Sequence, residues 1–179
     1  MKNKRNLFFI AIIIPMLLLL SMLWKPLWTL NVGTPILLET IPVDPRDLLY
    51  GDYVSLRFAV EEVKEQNIDP DLLHELSDDT YGELAVYAVL QQEDGGKYGL
   101  KTVTANKPED EVFLTGQMNR YAETLPGQET IYYADFLPDR FYVPENTGKR
   151  LEELSREGQL VAKLMIHDGY AILQDIMPK

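Results

Sequence analysis

The feature that most constrains this chain is an unbroken apolar run near its start. Residues 7–24 contain no charged side chain and are interrupted only by Pro15 and Ser21. At roughly 1.5 Å of rise per residue, an α-helix of this length reaches about 27 Å, close to the thickness of the hydrocarbon core of a bilayer. The run therefore predicts a transmembrane helix, and the residues after it are expected to form a domain attached to a membrane.

The residues on either side of the run predict its orientation. Lys2, Lys4 and Arg5 precede it, and the cytoplasmic flanks of transmembrane helices have an excess of such residues. Trp24 ends the run and Trp28 follows it, where amphipathic rings favour the boundary between membrane and water. We therefore expect a single-pass protein of the cell membrane in four parts: a cytoplasmic N-terminus at residues 1–6, an anchor at 7–24, a linker at 25–34 and an extracytoplasmic domain at 35–179.

A cleaved secretory signal is the alternative interpretation of the same segment. Its apolar core would be longer than the roughly 7–15 residues usual for a signal peptide, and no small-x-small cleavage site follows it. The chain has no cysteine, which excludes a lipoprotein cleavage site. An uncleaved anchor is the better prediction, and both interpretations place the domain outside the cytoplasm.

Composition excludes several classes of function. The chain has 17 basic and 28 acidic side chains, four of the basic ones flank the anchor, and no acidic residue precedes Glu39. The domain is therefore strongly acidic, which argues against a nucleic-acid partner, because phosphate binding needs a basic surface. The absence of cysteine removes disulfides, thiol nucleophiles and thiolate metal sites. We predict no cofactor.

Alternating apolar and polar residues predict a mainly β domain. Val54, Leu56, Phe58 and Val60 alternate with polar residues in 52–60, the pattern of a half-buried strand. Further strands are expected at 35–43, 83–92, 98–105, 112–118, 130–136, 140–143, 159–166 and 170–176. Short helices are expected within 61–79, broken at Pro70, and at 147–156. The pattern predicts an antiparallel β-barrel or sandwich-like domain with one or two short helices.

Two blocks of sequence resemble those of a known bacterial family. The stretch at 51–58, GDYVSLRF, resembles the signature for which the GDYXXLXY family is named, with Phe58 in place of the final tyrosine. A second block, about 90 residues later, begins Phe141-Tyr142-Val143-Pro144-Glu145 and continues through Gly148, Leu151 and Glu152. The resemblance implies a membrane-anchored envelope protein of unassigned activity. Family members are often encoded beside polytopic membrane proteins, so the resemblance also implies a polytopic membrane protein as partner.

The first block and its surroundings supply the candidate recognition surface. Arginine among aromatic and acidic residues suits a polar contact surface. We place that surface at Arg46, Asp47, Gly51, Asp52, Tyr53, Arg57 and Glu145. A structural interpretation also accounts for part of the block: residues 44–47 suit a proline-led turn, and Gly51 can supply a positive φ before the strand.

Residues suited to catalysis or metal binding are few. The densest group of possible metal ligands is Asp69, Asp71, His74, Glu75, Asp78 and Asp79, for which a solvated acidic helix face is the simpler interpretation. Among the serines after the anchor, Ser55 is expected within a strand, and Ser77 and Ser155 in polar, exposed helices. None is placed as a nucleophile needs to be, so we predict no catalytic or metal-binding residue. The expected function is an accessory or interaction module of the bacterial envelope, and the alternative is an anchored hydrolase or metal-dependent enzyme.

Overall fold

A long N-terminal helix precedes a strand-rich domain. The computed structural model describes residues 2–42, 53–76, 82–123, 129–144 and 148–179. Helix α1 spans Lys2–Val32, and its part from Leu7 to Val32 is long and apolar enough to cross a membrane. The interval 25–34, predicted as a linker, is helical as far as Val32 and ends in the first residue of a strand.

Ten strands and two further helices follow in the part of the chain that the structure describes. The strands are β1 (Thr34–Glu39), β2 (Tyr53–Ser55), β3 (Glu62–Lys64), β4 (Glu83–Gln92), β5 (Tyr98–Thr104), β6 (Phe113–Glu123), β7 (Ile131–Asp135), β8 (Arg140–Tyr142), β9 (Leu160–His167) and β10 (Tyr170–Pro178). The helices are α2 (Pro70–Leu76) and α3 (Gly148–Arg156), and single 3-10 turns lie at Ala59–Glu61, Glu65–Asn67 and Asp94–Gly96.

The strands form two sheets. Eight lie in one sheet in the order β10-β9-β1-β5-β4-β6-β7-β3, and β2 pairs with β8 in a second. Strands β1 and β5 run parallel, with Leu38 opposite Tyr98, and the other neighbours are antiparallel. The mainly β prediction is confirmed in its sandwich-like form: the large sheet does not close into a barrel, and one of its strand pairs departs from the expected antiparallel arrangement.

The alternation seen in the sequence produces the core. In β4, Val86, Ala88 and Leu90 point inward and are buried. The β9–β10 hairpin turns at Asp168 and Gly169, with φ of 49° and 74°, as a two-residue primed turn requires. The strands predicted at 159–166 and 170–176 are thus confirmed, and an Asp-Gly turn joins them.

Two segments differ from their predicted elements. The strand expected at 52–60 is regular only over β2, yet Val54, Leu56, Phe58 and Val60 are each at most 4% exposed, so the alternation predicted burial correctly. Within the predicted helical region 61–79, β3 and a 3-10 turn come first and α2 starts at Pro70. The Oδ1 of Asp69 accepts the N–H of Asp71 at 3.0 Å and so caps the N-terminus of that helix.

Candidate functional site

The two sequence blocks that resemble the family lie side by side. Strand β2 belongs to the first block and β8 overlaps the start of the second, and their register places Tyr53 opposite Tyr142, Val54 opposite Phe141 and Ser55 opposite Arg140. The Leu56 N–H donates to the Asp139 carbonyl at 2.8 Å and continues this pairing. Segments about 90 residues apart in sequence therefore form one small antiparallel sheet.

One face of this small sheet is exposed and aromatic. Because side chains alternate along a strand, Val54 and Phe141 face the core while Tyr53, Arg140 and Tyr142 face outward. The rings of Tyr53 and Tyr142 are 6.1 Å apart between centroids, and the guanidinium of Arg140 lies 5.1 Å from the Tyr53 ring centroid. Tyr142 is 73% exposed, so its ring is available to another molecule.

A second arginine extends this face beyond β2. Arg57 follows Ser55 by two residues, with buried Leu56 between them, and its guanidinium lies 5.4 Å from the ring centroid of Tyr133 on β7. The Tyr133 hydroxyl donates to Glu123 Oε2 at 2.8 Å, and this hydrogen bond is the main cause of a raised pKa of Tyr133. We call Tyr53, Arg57, Tyr133, Arg140 and Tyr142 the tyrosine–arginine surface.

Partly buried hydrogen bonds hold the backbone beneath this surface. Ser155 on α3 is 3% exposed, and its Oγ donates to the Ser55 carbonyl at 2.7 Å, so α3 is fastened to β2. The carboxylate of partly buried Glu61 accepts the N–H groups of Phe58, Phe136 and Leu137 at 3.2–3.3 Å. Burial raises the pKa of Glu61, and these three N–H donors oppose that effect.

The structure describes only part of the recognition surface predicted from sequence. Tyr53 and Arg57 lie on the tyrosine–arginine surface. The other predicted members lie outside the described residues: Arg46, Asp47, Gly51, Asp52 and Glu145. Sequence reasoning missed Tyr133, Arg140 and Tyr142. Alternation in Arg140-Phe141-Tyr142 would have indicated that the first and third share a face, but nothing local indicated that this face meets Tyr53.

The side chains considered for metal binding do not converge in the described part of the chain. There, no group of three or more histidine, aspartate or glutamate side chains is placed to hold a metal ion. Asp69 caps α2, and Glu75 pairs with Arg120 at 3.7 Å. Asp78 and Asp79 lie outside the described residues.

The serines also differ from what hydrolytic chemistry needs. The prediction that Ser155 is exposed is wrong, because its hydroxyl is buried against a strand carbonyl. A polar helix sequence suggested exposure, but Ser155 lies on the side of α3 that packs on β2. Ser55 lies within β2 as predicted, and Ser77 lies outside the described residues.

Comparison with known proteins agrees with the family resemblance of the two sequence blocks. A model of the family described as GDYXXLXY protein matches residues 15–176. No curated protein and no solved structure matches the chain. Phe58, which replaces the last tyrosine of the signature, is fully buried, so the missing hydroxyl leaves no polar group to satisfy in the core. Since the match covers most of the chain, this protein belongs to the GDYXXLXY family.

Proposed function

We propose that this protein is a membrane-anchored interaction module of the bacterial envelope, which binds a polytopic membrane protein through the tyrosine–arginine surface. The observation that supports the proposal most is the convergence of the two family blocks in β2 and β8, whose outward face presents Tyr53, Arg140 and Tyr142. Tyrosine and arginine are the residue types, with tryptophan, that dominate binding energy at protein interfaces.

The charges on this surface favour recognition over internal stabilisation. Arg57 lies 4.0 Å from Glu62, and Arg140 lies 3.7 Å from Asp139, both beyond hydrogen-bond length. Surface pairs elsewhere are closer, such as Lys107 with Asp168 at 2.6 Å. As far as the described residues show, the two guanidinium groups can therefore donate to carboxylates or carbonyls of a partner without breaking a strong bond.

Helix α1 has few groups for specific recognition within the membrane. The Ser21 hydroxyl donates to the Leu18 carbonyl at 2.7 Å, and the Asn31 amide donates to the Leu27 carbonyl at 2.8 Å, so both side chains bond within the helix. The remainder of Leu7–Val32 is almost entirely apolar around its whole circumference. We assign α1 to anchoring, with its basic N-terminus in the cytoplasm, and assign recognition to the domain.

Capture of the partner from native membranes tests the proposal. The intact protein is crosslinked in its own membrane, and captured proteins are identified by mass spectrometry, with Arg57→Ala and Arg140→Ala as test variants. Lys101→Ala is the matched control, because Lys101 and Arg140 side chains are both 48% exposed. We expect a protein with several transmembrane helices in the wild-type sample and its reduction by about fivefold or more in both arginine variants, as for interface residues worth over ~1 kcal/mol.

The melting temperature separates binding from folding in this experiment. Exposed charges contribute about 0–1 kcal/mol to stability, so all three variants should melt close to the wild type. Loss of the polytopic protein in the Lys101 control to the same extent would contradict the proposal. Undiminished capture by both arginine variants would contradict it as well.

A further inference from the structure

The connection between α1 and the first strand of the domain is a single residue. Helix α1 ends at Val32, and Thr34 already pairs with Ile166 of β9, so Gly33 alone separates helix from strand. The Gly33 N–H donates to the Thr29 carbonyl at 2.9 Å. A Cβ atom at Gly33 would lie 2.4 Å from that carbonyl oxygen and 3.0 Å from the Ile166 oxygen. The backbone segments meet so closely that only glycine fits between them.

The domain also packs along the last two turns of the helix. Pro26 and Gly33 are half-buried, and Thr29 between them is 1% exposed. These positions are spaced i, i+3 and i+7, so they share one face of the helix, and this face packs against β9 and β10. One turn earlier, the ammonium group of Lys25 lies 4.5 Å from the centroid of the Tyr170 ring. Lys25 is the only charged residue of Leu7–Val32, and it is directed at the domain.

Apart from Asn31, the other sides of the same two turns are apolar and uncovered. Leu27, Trp28, Leu30 and Val32 are between 41% and 55% exposed. They continue the apolar surface of residues 7–24, and at roughly 1.5 Å per residue the whole stretch Leu7–Val32 is about 39 Å long against about 30 Å of hydrocarbon. Exposure of this surface to water is unfavourable, whereas the boundary layer of a bilayer accommodates it.

We propose that the domain is seated directly on the membrane, with the last two turns of α1 and the β9–β10 turn packed beside them lying in the phospholipid headgroup layer. The proposal rests on the anchoring function given to α1 above. Trp24 and Trp28, stacked with their centroids 5.6 Å apart, and Tyr170 beneath Lys25 then occupy the layer that amphipathic aromatic rings favour. The domain is held in one orientation, and the phospholipid surface is a second contact surface distinct from the tyrosine–arginine surface.

The two tryptophans provide the first measurement. They are the only ones in the chain, so Trp24→Phe and Trp28→Phe each leave one fluorophore. The full-length variants are placed in phosphatidylcholine vesicles whose acyl chains are brominated near the headgroup, and quenching by bromine is compared with quenching by aqueous acrylamide. We expect Trp24 and Trp28 to be quenched to a comparable extent by the brominated lipid and to be largely protected from acrylamide.

A cysteine-specific probe provides the second measurement, because the chain contains no cysteine. Thr34→Cys places an environment-sensitive label on an exposed residue beside the joint, and Gln159→Cys places the same label on an exposed residue at the opposite end of β9. Lipids with a spin label on the headgroup should quench the label at residue 34 and leave the label at residue 159 nearly unchanged.

Each other outcome overturns the proposal in a different way. In one such outcome, bromine quenches Trp24, acrylamide reaches Trp28, and the spin-labelled lipid quenches the labels at residues 34 and 159 equally. The helix would then span the membrane but hold the domain away from it. Protection of Trp28 from both quenchers would mean that a second copy of the chain covers the helix. Absence of bromine quenching at both tryptophans would show that α1 is not inserted, which would remove the anchoring function itself.

Discussion

Glu61 is the residue whose side chain joins three backbone groups beneath the tyrosine–arginine surface. Its carboxylate accepts three backbone N–H groups, one from Phe58, just before the 3-10 turn at Ala59–Glu61, and two from the segment between β7 and β8. Burial nevertheless raises its pKa above the ordinary value of 4.5. The folded state therefore binds a proton at Glu61 more readily than the unfolded state does, and this contribution to stability decreases as the pH rises from 4.5 through the raised pKa.

Replacement of Glu61 by alanine tests this account. Glu61→Ala should lower the free energy of unfolding by about 1–3 kcal/mol, because three partly buried N–H groups lose their acceptor. The difference in the free energy of unfolding between Glu61→Ala and the wild type should be largest near pH 4 and smaller at pH 7. Thermal unfolding of the full-length protein in detergent, followed by circular dichroism across this range, measures it. Glu65→Ala removes an exposed carboxylate nearby and serves as control. A larger difference at pH 7 than at pH 4 would contradict the account.

Residue-level prediction from the sequence succeeded where local pattern determines environment. Burial of Val54, Leu56, Phe58 and Val60 followed from alternation alone. Burial of Ser155 and of the Glu61 carboxylate did not follow, since it depends on which strand or loop lies against each side chain. A polar residue in a polar helix gives no local sign that its hydroxyl meets the carbonyl of a residue 100 positions earlier.

At the level of elements, hairpins could be predicted and lone edge strands could not. Strands β4 and β5 and strands β9 and β10 are each joined by a short glycine-containing turn, so local turn chemistry identifies both pairs. Strand β3 has three residues in an acidic segment, and it forms because Glu62, Val63 and Lys64 pair with β7. The parallel pairing of β1 with β5 likewise depends on contacts remote in sequence. In the segment that contains β3, contacts of this kind override the local preference for helix.

The attachment of α3 to β2 gives a prediction for an element. Ser155→Ala removes the hydroxyl that bonds to the Ser55 carbonyl and should lower the free energy of unfolding by about 1–2 kcal/mol. Partner capture should decrease only in proportion to the folded fraction, since Ser155 is not part of the tyrosine–arginine surface. Glu153→Ala, at an exposed position of the same helix, should change stability little. Unchanged stability of Ser155→Ala would show that other contacts hold α3.

At the level of the whole molecule, the main site could be predicted only in part. The sequence indicated Tyr53 and Arg57, but the approach of β8 to β2 requires the intervening strands to bring residue 142 back to residue 53. The apolar run at 7–24 correctly predicted a long apolar helix, whereas residues 25–34 were interpreted as a linker. Packing of Thr29 and Gly33 on β9 explains why the helix continues to Val32.

The direction in which α1 crosses the membrane is the last prediction, and the absence of cysteine makes it directly testable. Lys2, Lys4 and Arg5 precede the apolar run at 7–24, and Lys25 is the first charged residue after that run. This asymmetry should retain the N-terminus in the cytoplasm. In intact spheroplasts, a membrane-impermeant maleimide should label Gln159→Cys, whereas Asn3→Cys should react only after permeabilisation.

The reverse labelling pattern would place the domain in the cytoplasm and would exclude the proposed envelope function. A mature chain that begins near residues 25–34 would instead identify residues 7–24 as a cleaved signal. Because Lys25 and Gly33 contact the domain, cleavage near residue 34 would also expose Ile166 and Tyr170. The cleaved form should then melt at a lower temperature than the full-length protein, since the packing of α1 on β9 and β10 would be lost. Retention of these contacts is the physical reason to expect an anchor that stays attached.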